Sequence, residues 1–142
     1  KVAATGASIG VDRLLAAMKI LGKAENRSAT SDVLVTVMDK KRMADYLKIA
    51  QLIRNAGFNA EVFMGNGGIG QQMKYADKLG IPIALIAGSN EFERGEYQLK
   101  DLQLGMELSK DVADRETWKK ERPAQQSVPQ NQLIEKLKEM LK

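Results

Sequence analysis

The 142-residue chain contains no cysteine and no histidine, and these absences exclude several kinds of chemistry. It has no thiolate or imidazole for catalysis, it cannot form a disulfide, and the usual zinc ligands are missing. Hydrophobic residues make up 44% of the chain and aromatic residues 5%, an ordinary composition for an α/β domain. No apolar run reaches the roughly 18 residues that span a bilayer, and there is no signal-peptide pattern. We therefore expect a cytoplasmic protein with no membrane partner.

Positive charge is concentrated in the first part of the chain. Residues 1 to 57 carry ten Lys or Arg against five Asp or Glu, whereas residues 58 to 109 carry four against seven. The net charge of the whole chain is +4. Because phosphates respond to local charge, this asymmetry suits a polyanion lying across one side of the domain. A solvated basic helix face explains the same asymmetry equally well.

Hydrophobic periodicity predicts the organisation of the rest. Residues 22 to 32 lose periodicity and gain small polar side chains, which is typical of a linker. Beyond it, apolar runs of strand length alternate with two amphipathic helical stretches; the strands are 33 to 38, 58 to 64 and 83 to 87, and the helices 43 to 56 and 71 to 79. Right-handed crossovers between these elements predict a parallel βαβαβ sheet.

The last third of the chain predicts an antiparallel addition to that sheet. Residues 96 to 102 and 106 to 110 indicate two strands joined by a turn at residues 103 to 105. Residues 111 to 126 are polar and are expected to cross the surface, anchored by Trp118, before Val128-Pro129 introduces a final helix. The expected fold is a three-layer α/β domain with a mixed, mainly parallel five-stranded sheet and a C-terminal helix.

Near its start the chain has a glycine-spaced segment with a single arginine at a predicted strand-to-helix junction. Gly6 precedes a short β-prone stretch at residues 9 to 11 and Gly10 lies within it, and a flat ligand can lie against backbone without Cβ atoms. The guanidinium of Arg13 would then stack on a base or fork onto a phosphate. The alternative is a buried strand and an amphipathic helix that leave Arg13 merely exposed.

Two stretches resemble the histidyl-tRNA synthetase family. Residues 71 to 88, with the run Lys-Tyr-Ala-Asp-Lys-Leu-Gly, are similar to its anticodon-binding domain, and Ser89-Asn90-Glu91 and residues 95 to 102 continue the match in order. The opening Gly-Ala-Ser-Ile-Gly-Val-Asp-Arg-Leu resembles motif 3 of class II aminoacyl-tRNA synthetases in its histidyl version. The resemblance implies three parts: a motif 3 strand-helix remnant of a catalytic domain at 1 to 21, the linker at 22 to 32, and an anticodon-binding domain at 33 to 142.

The resemblance also implies a catalytic role for the first part in a longer enzyme. Arg13 would hold ATP during amino-acid activation, and Gly6 and Gly10 would give the nucleotide room. The full-length enzyme would use ATP and Mg and act as a homodimer. Motifs 1 and 2 and the histidine-recognition segments have no counterpart here, so this chain alone is expected to be inactive and to bind no cofactor or metal. The apolar side chains within residues 1 to 21 are expected to be covered by another chain or by the domain's own surface.

For residues 33 to 142, the resemblance implies recognition of the anticodon stem-loop of histidine tRNA. By similarity to threonyl and prolyl anticodon domains, the contacting residues would be Asn66, Lys74, Glu91 and Lys100. Ligands of open α/β sheets lie at the carboxyl ends of parallel strands, here the loops at 39 to 42, 65 to 70 and 88 to 94. Glu91 would accept from a guanine, and the lysines would reach base carbonyls or phosphates. The structural alternatives are a turn-forming Asn66, a solvated Lys74, a surface Glu91 and a cross-strand partner role for Lys100.

A second function stays open at this point. Similar domains occur in non-catalytic paralogues of the family, where tRNA binding or regulation replaces aminoacylation. The intact Arg13 with its flanking glycines favours the enzyme, since a paralogue has no need of a nucleotide-binding arginine.

Overall fold

The computed structural model describes residues 3 to 23, 29 to 105 and 124 to 141. Its strands are β1 (Val33–Val35), β2 (Ala60–Val62), β3 (Ile83–Ile86), β4 (Glu96–Asp101) and β5 (Gln125–Pro129). Its helices are α1 (Val11–Ile20), α2 (Met43–Asn55), α3 (Ile69–Leu79), α4 (Ser89–Arg94) and α5 (Leu133–Met140). Among these described residues no helix is long and apolar enough to cross a membrane.

The five strands form one mixed sheet in the order β2-β1-β3-β4-β5. Strand β1 pairs in parallel with β2 and β3, and β4 pairs antiparallel with both β3 and β5. Four strands therefore point in one direction and only β4 opposes them. The predicted five-stranded mixed sheet is confirmed.

The predicted hairpin after β4 is wrong in its turn and in its second strand, because β4 pairs with residues 125 to 129. Strand β4 ends at Asp101 and residues 102 to 105 are helical, so the expected turn at 103 to 105 does not form. The strand expected at 106 to 110 and the anchor Trp118 lie outside the described residues. The fifth strand is β5, which overlaps the end of the polar stretch 111 to 126 and includes Val128-Pro129, the residues expected to introduce the final helix. It is an edge strand whose only buried residue is Val128, and so it lacks an apolar run.

Two hydrophobic clusters on opposite faces of the sheet make the three layers. One cluster joins β1, β3 and β4 to α2 and α5, and it includes Val35, Ile53, Leu85, Leu99 and Leu133. The other cluster lies under α3 and includes Leu34, Ala76, Ile81, Ala84 and Leu102. Alternation along each strand sends neighbouring side chains to different clusters, as in Leu34 and Val35.

The first segment differs from its prediction. Residues 3 to 10 form no strand, and α1 begins at Val11 because the Gly10 carbonyl already accepts from Leu14 N–H at 3.0 Å. Every described residue from 3 to 23 is exposed, including Leu14 at 52% and Leu15 at 46%. The domain's own surface therefore does not cover α1. Cover by another chain stays a prediction.

Candidate nucleic-acid interface

Three loops follow β1, β2 and β3 at the carboxyl edge of the sheet, and a buried amide joins two of them. Gln72, in α3, is 1% exposed. Its Nε2 donates to the carbonyls of Val37 at 2.8 Å and Gly67 at 2.9 Å, and its Oε1 accepts from Val37 N–H at 2.8 Å. The loop after β1 is thereby fixed to the glycine-rich loop after β2.

A buried phenol joins the third loop to the first. Tyr46, in α2, is fully buried. Its hydroxyl donates to the Ala87 carbonyl at 2.7 Å and accepts from the N–H groups of Met38 and Asp39, each at 3.2 Å. Through Tyr46 and Gln72, residues 36 to 42, 63 to 68 and 87 to 88 form one connected surface, which we call the loop platform.

The change Tyr46→Phe tests this connection. We expect it to lower the free energy of unfolding by about 1–3 kcal/mol, because the buried Ala87 carbonyl and two partly buried N–H groups lose their partner. Tyr75→Phe is the matched control, since the Tyr75 hydroxyl bonds to the half-buried Glu61 and water can replace it; its cost should be about 1 kcal/mol or less. Urea denaturation measures both variants. Equal losses would show that the Tyr46 hydroxyl does not hold the loops.

The glycine-rich loop rests on an aromatic ring. A Cβ added to Gly65 would lie 2.7 and 2.9 Å from ring atoms of Phe63, closer than real contacts allow. Phe63 packs edge-on against Tyr75, with centroids 5.5 Å apart, and the Tyr75 hydroxyl donates to Glu61. This hydrogen bond raises the pKa of Tyr75 above its usual value, so the phenol stays protonated at neutral pH. The contacts fix the backbone beside Asn66.

Gly65→Ala should therefore disturb the loop, whereas Gly70→Ala should not. We expect Gly65→Ala to cost about 1–3 kcal/mol of unfolding free energy through overpacking. Gly70 has open space around it in α3, so alanine there should be neutral or stabilising by up to about 1 kcal/mol. Thermal and urea unfolding check both. In a Phe63→Ala background the cost of Gly65→Ala should disappear; a cost that persists would contradict the ring contact.

The structure places the four predicted anticodon residues as follows. Asn66 is exposed, and its Oδ1 accepts from Lys40 Nζ. Glu91 is half-buried, and its Oε2 accepts from Gly88 N–H at 2.9 Å. Lys74 is exposed on α3, and Lys100 is half-buried on β4 opposite Ala84 and Gln125.

These four residues lie on different elements: Asn66 in the loop after β2, Lys74 in α3, Glu91 in α4 and Lys100 in β4. Asn66 and Glu91 lie at or beside the loop platform. Lys100 is set back from it, opposite the second residue of β3 and on the sheet face that α3 covers. Within the described residues no hydrogen bond or ion pair joins any two of the four. Their shared role in binding stays a prediction.

Two cations at this edge were absent from the predicted site. Lys40 holds the amide of Asn66, and the guanidinium of Arg42 lies over the Phe92 ring, 4.3 Å from its centroid. Both belong to Lys40-Lys41-Arg42, the single run of three consecutive cations in the sequence. That run is the signal that would have identified them.

The predicted nucleotide-binding residues lie apart from this edge. Arg13 is exposed in the first turn of α1. A Cβ on Gly6 would meet nothing within 4 Å, and one on Gly10 would meet only the side chain of Arg13, at 3.8 Å. In the part of the chain that the structure describes, these residues alone do not build an ATP site. Among the same residues no group of three or more acidic side chains could hold a metal ion.

Comparisons with known proteins identify the family to which this domain belongs. Residues 32 to 140 match the family model of the anticodon binding domain. The chain belongs to this anticodon-binding family. A histidine–tRNA ligase of Bradyrhizobium diazoefficiens is 45% identical over 141 residues, covering 99% of this chain and 28% of that protein. One of Roseobacter denitrificans is 48% identical over 142 residues, covering 99% and 27%.

A solved structure gives the same result for the fold. The histidyl-tRNA synthetase of Nostoc sp. PCC 7120 aligns with a TM-score of 0.70 at 29% identity, over 94% of this chain and 28% of that one. The chain is thus homologous to the C-terminal anticodon-binding part of histidine–tRNA ligases, and it spans just over a quarter of these relatives. The resemblance noted in the sequence is confirmed.

Proposed function

We propose that this chain recognises the anticodon of histidine tRNA as part of a cytoplasmic histidine–tRNA ligase. The main support for this proposal is the match of residues 32 to 140 to the anticodon-binding family, together with 45–48% identity to two such ligases along nearly the whole chain. The loop platform supports the proposal, because it presents side chains at the sheet edge where open α/β sheets take their ligands.

Asn66 and Glu91 have the free polar groups that base recognition needs. The Oδ1 of Asn66 is engaged by Lys40, which leaves the amide N–H groups to donate to a base carbonyl. The Oε2 of Glu91 caps α4, while its Oε1 has no hydrogen bond to any described residue. The carboxylate would accept from the N1 and N2 donors of an unpaired guanine through Oε1 and the remaining lone pair of Oε2. Lys74 and Lys100 would supply charge to base carbonyls or phosphates.

The first segment has its proposed role in the whole ligase. Arg13, Gly6 and Gly10 would take part in binding ATP, with Mg, in a homodimeric enzyme whose other segments complete the site. Exposed apolar residues of α1, Leu14 and Leu15 among them, would be covered by those segments or by the second subunit.

Glu91→Gln separates base recognition from helix capping. Glutamine keeps a carbonyl oxygen for Gly88 N–H, so the melting temperature should change little. Its amide puts a donor where the carboxylate accepted, and this should cost on the order of 1–3 kcal/mol for the cognate stem-loop. Binding to a stem-loop with the guanine exchanged should change little. Equal losses of affinity for the two RNAs would show that Glu91 caps α4 and does not recognise the guanine.

Catalysis should require the whole ligase. We expect no histidine-dependent pyrophosphate exchange from the 142-residue chain, because one motif of three cannot position the reactants. In the full-length ligase, Arg13→Lys should strongly depress that exchange with tRNA affinity nearly unchanged, since a point charge does not replace a forked or stacked guanidinium. Exchange from the pure chain, or an unaffected Arg13→Lys ligase, would contradict this assignment.

A further inference from the structure

The guanidinium of Arg42 is held from two sides at the carboxyl edge of the sheet. Arg42 ends the short 3-10 turn before α2. Its Nε lies 3.4 Å from Asp45 Oδ2, and its Cζ lies 4.3 Å from the centroid of the Phe92 ring. The side chain is still 38% exposed. The guanidinium is therefore oriented by the protein but open to a ligand.

The ring beneath Arg42 is itself fixed. Phe92 packs edge-on against Tyr46, with centroids 5.5 Å apart, and against Tyr97 at 6.3 Å. Tyr46 is the phenol that ties together two loops of the loop platform. The position of Arg42 thus depends on the same contacts as the platform. A group held in this way loses little conformational freedom on binding.

The terminal nitrogens of Arg42 are free in the part of the chain that the structure describes. The contact with Asp45 is made through Nε, and neither Nη atom has a hydrogen bond there. Arg54, in the last turn of α2, is the opposite case. Its Nε and Nη2 donate to the Ala60 carbonyl at 3.0 and 2.8 Å, so its guanidinium serves the fold.

Arg42 lines a groove of about 280 Å³ between α2, α4, β4 and the short 3-10 turn that precedes α5. Lys48, which is 80% exposed, is a second cation of the lining and lies 3.9 Å from Asp45, the one acid among the described lining residues. Burial raises the pKa of the Tyr97 phenol in this lining and the charge of Asp45 raises it further, so the phenol is neutral at physiological pH. The groove therefore has a net positive charge.

We propose that Arg42 binds a backbone phosphate of the anticodon stem-loop, with Lys48 as the second cation of this contact. The proposal rests on the proposed function and adds a phosphate-binding site to it. Free N–H groups on a planar, oriented guanidinium match the forked geometry of a phosphate. Lys41, exposed beside Arg42, adds to the local positive charge. The contact would fix the position of the loop over the platform, whereas Asn66 and Glu91 would contact bases.

The test compares Arg42→Ala, Arg42→Lys and Arg54→Ala in the 142-residue chain. Binding of a synthetic histidine-tRNA anticodon stem-loop, cognate and base-exchanged, is measured by fluorescence anisotropy at several salt concentrations. Arg54→Ala is the matched control, because it removes the same charge from the other end of α2. Melting temperatures verify folding, and Arg42→Lys keeps the charge should Arg42→Ala fold poorly.

We expect Arg42→Ala to weaken binding about tenfold or more for both RNAs, and to flatten the slope of log affinity against log salt by about 0.7. Arg42→Lys should lie between Arg42→Ala and the unchanged chain, and Arg54→Ala should bind nearly as the unchanged chain does. Unchanged affinity in a folded Arg42→Ala would overturn the phosphate site alone. A loss confined to the cognate RNA would also overturn it, since that indicates a base contact. If the unchanged chain binds neither RNA, the proposed function fails and this site fails with it.

Discussion

The carboxamide of Gln72 is the contact on which the candidate interface depends. A buried amide that lacks partners costs free energy, so its position is set by where its hydrogen-bonding groups are satisfied. Here all three of its bonds go to backbone groups of loops that follow β1 and β2. Without them Val37 would have a buried N–H and carbonyl with no partner, and the glycine-rich loop would lose its attachment.

Buried polar side chains in the described residues are concentrated at this same edge. Thr36 and Gln72 are buried there together with the phenols of Tyr46 and Tyr97, and the Thr36 hydroxyl donates to the Leu85 carbonyl at 2.9 Å. The other buried side chains of the described residues are apolar. Because satisfied hydrogen bonds add only modestly to net stability but strongly restrict geometry, their placement here specifies the shape of the loops more than it stabilises the sheet. A surface that must match an RNA loop gains from that restriction.

Sequence periodicity predicted the strands that are buried on both faces and the helices that carry a clear stripe of apolar residues. Strands β1 and β3 are continuous apolar runs, and α2 and α3 carry regular apolar spacing, so their positions were correct within a few residues. Strand β5 was missed, since an edge strand with polar side chains on one face leaves no such run. The contacts of Tyr46 and Gln72 could not be predicted either, because they join residues 41 and 35 positions apart through backbone atoms.

The candidate site was predictable in its residue types and not in its geometry. Family resemblance indicated Asn66 and Glu91, but both side chains prove to be held through one oxygen, which leaves a defined remaining group on each. Arg42 shows the same arrangement, with Nε engaged and its terminal nitrogens free. A side chain that is half satisfied by the protein is oriented before the ligand arrives, and its unused group then determines whether it contacts a base or a phosphate. That property follows from tertiary contacts, which is why residue type alone did not distinguish Arg42 from Arg54.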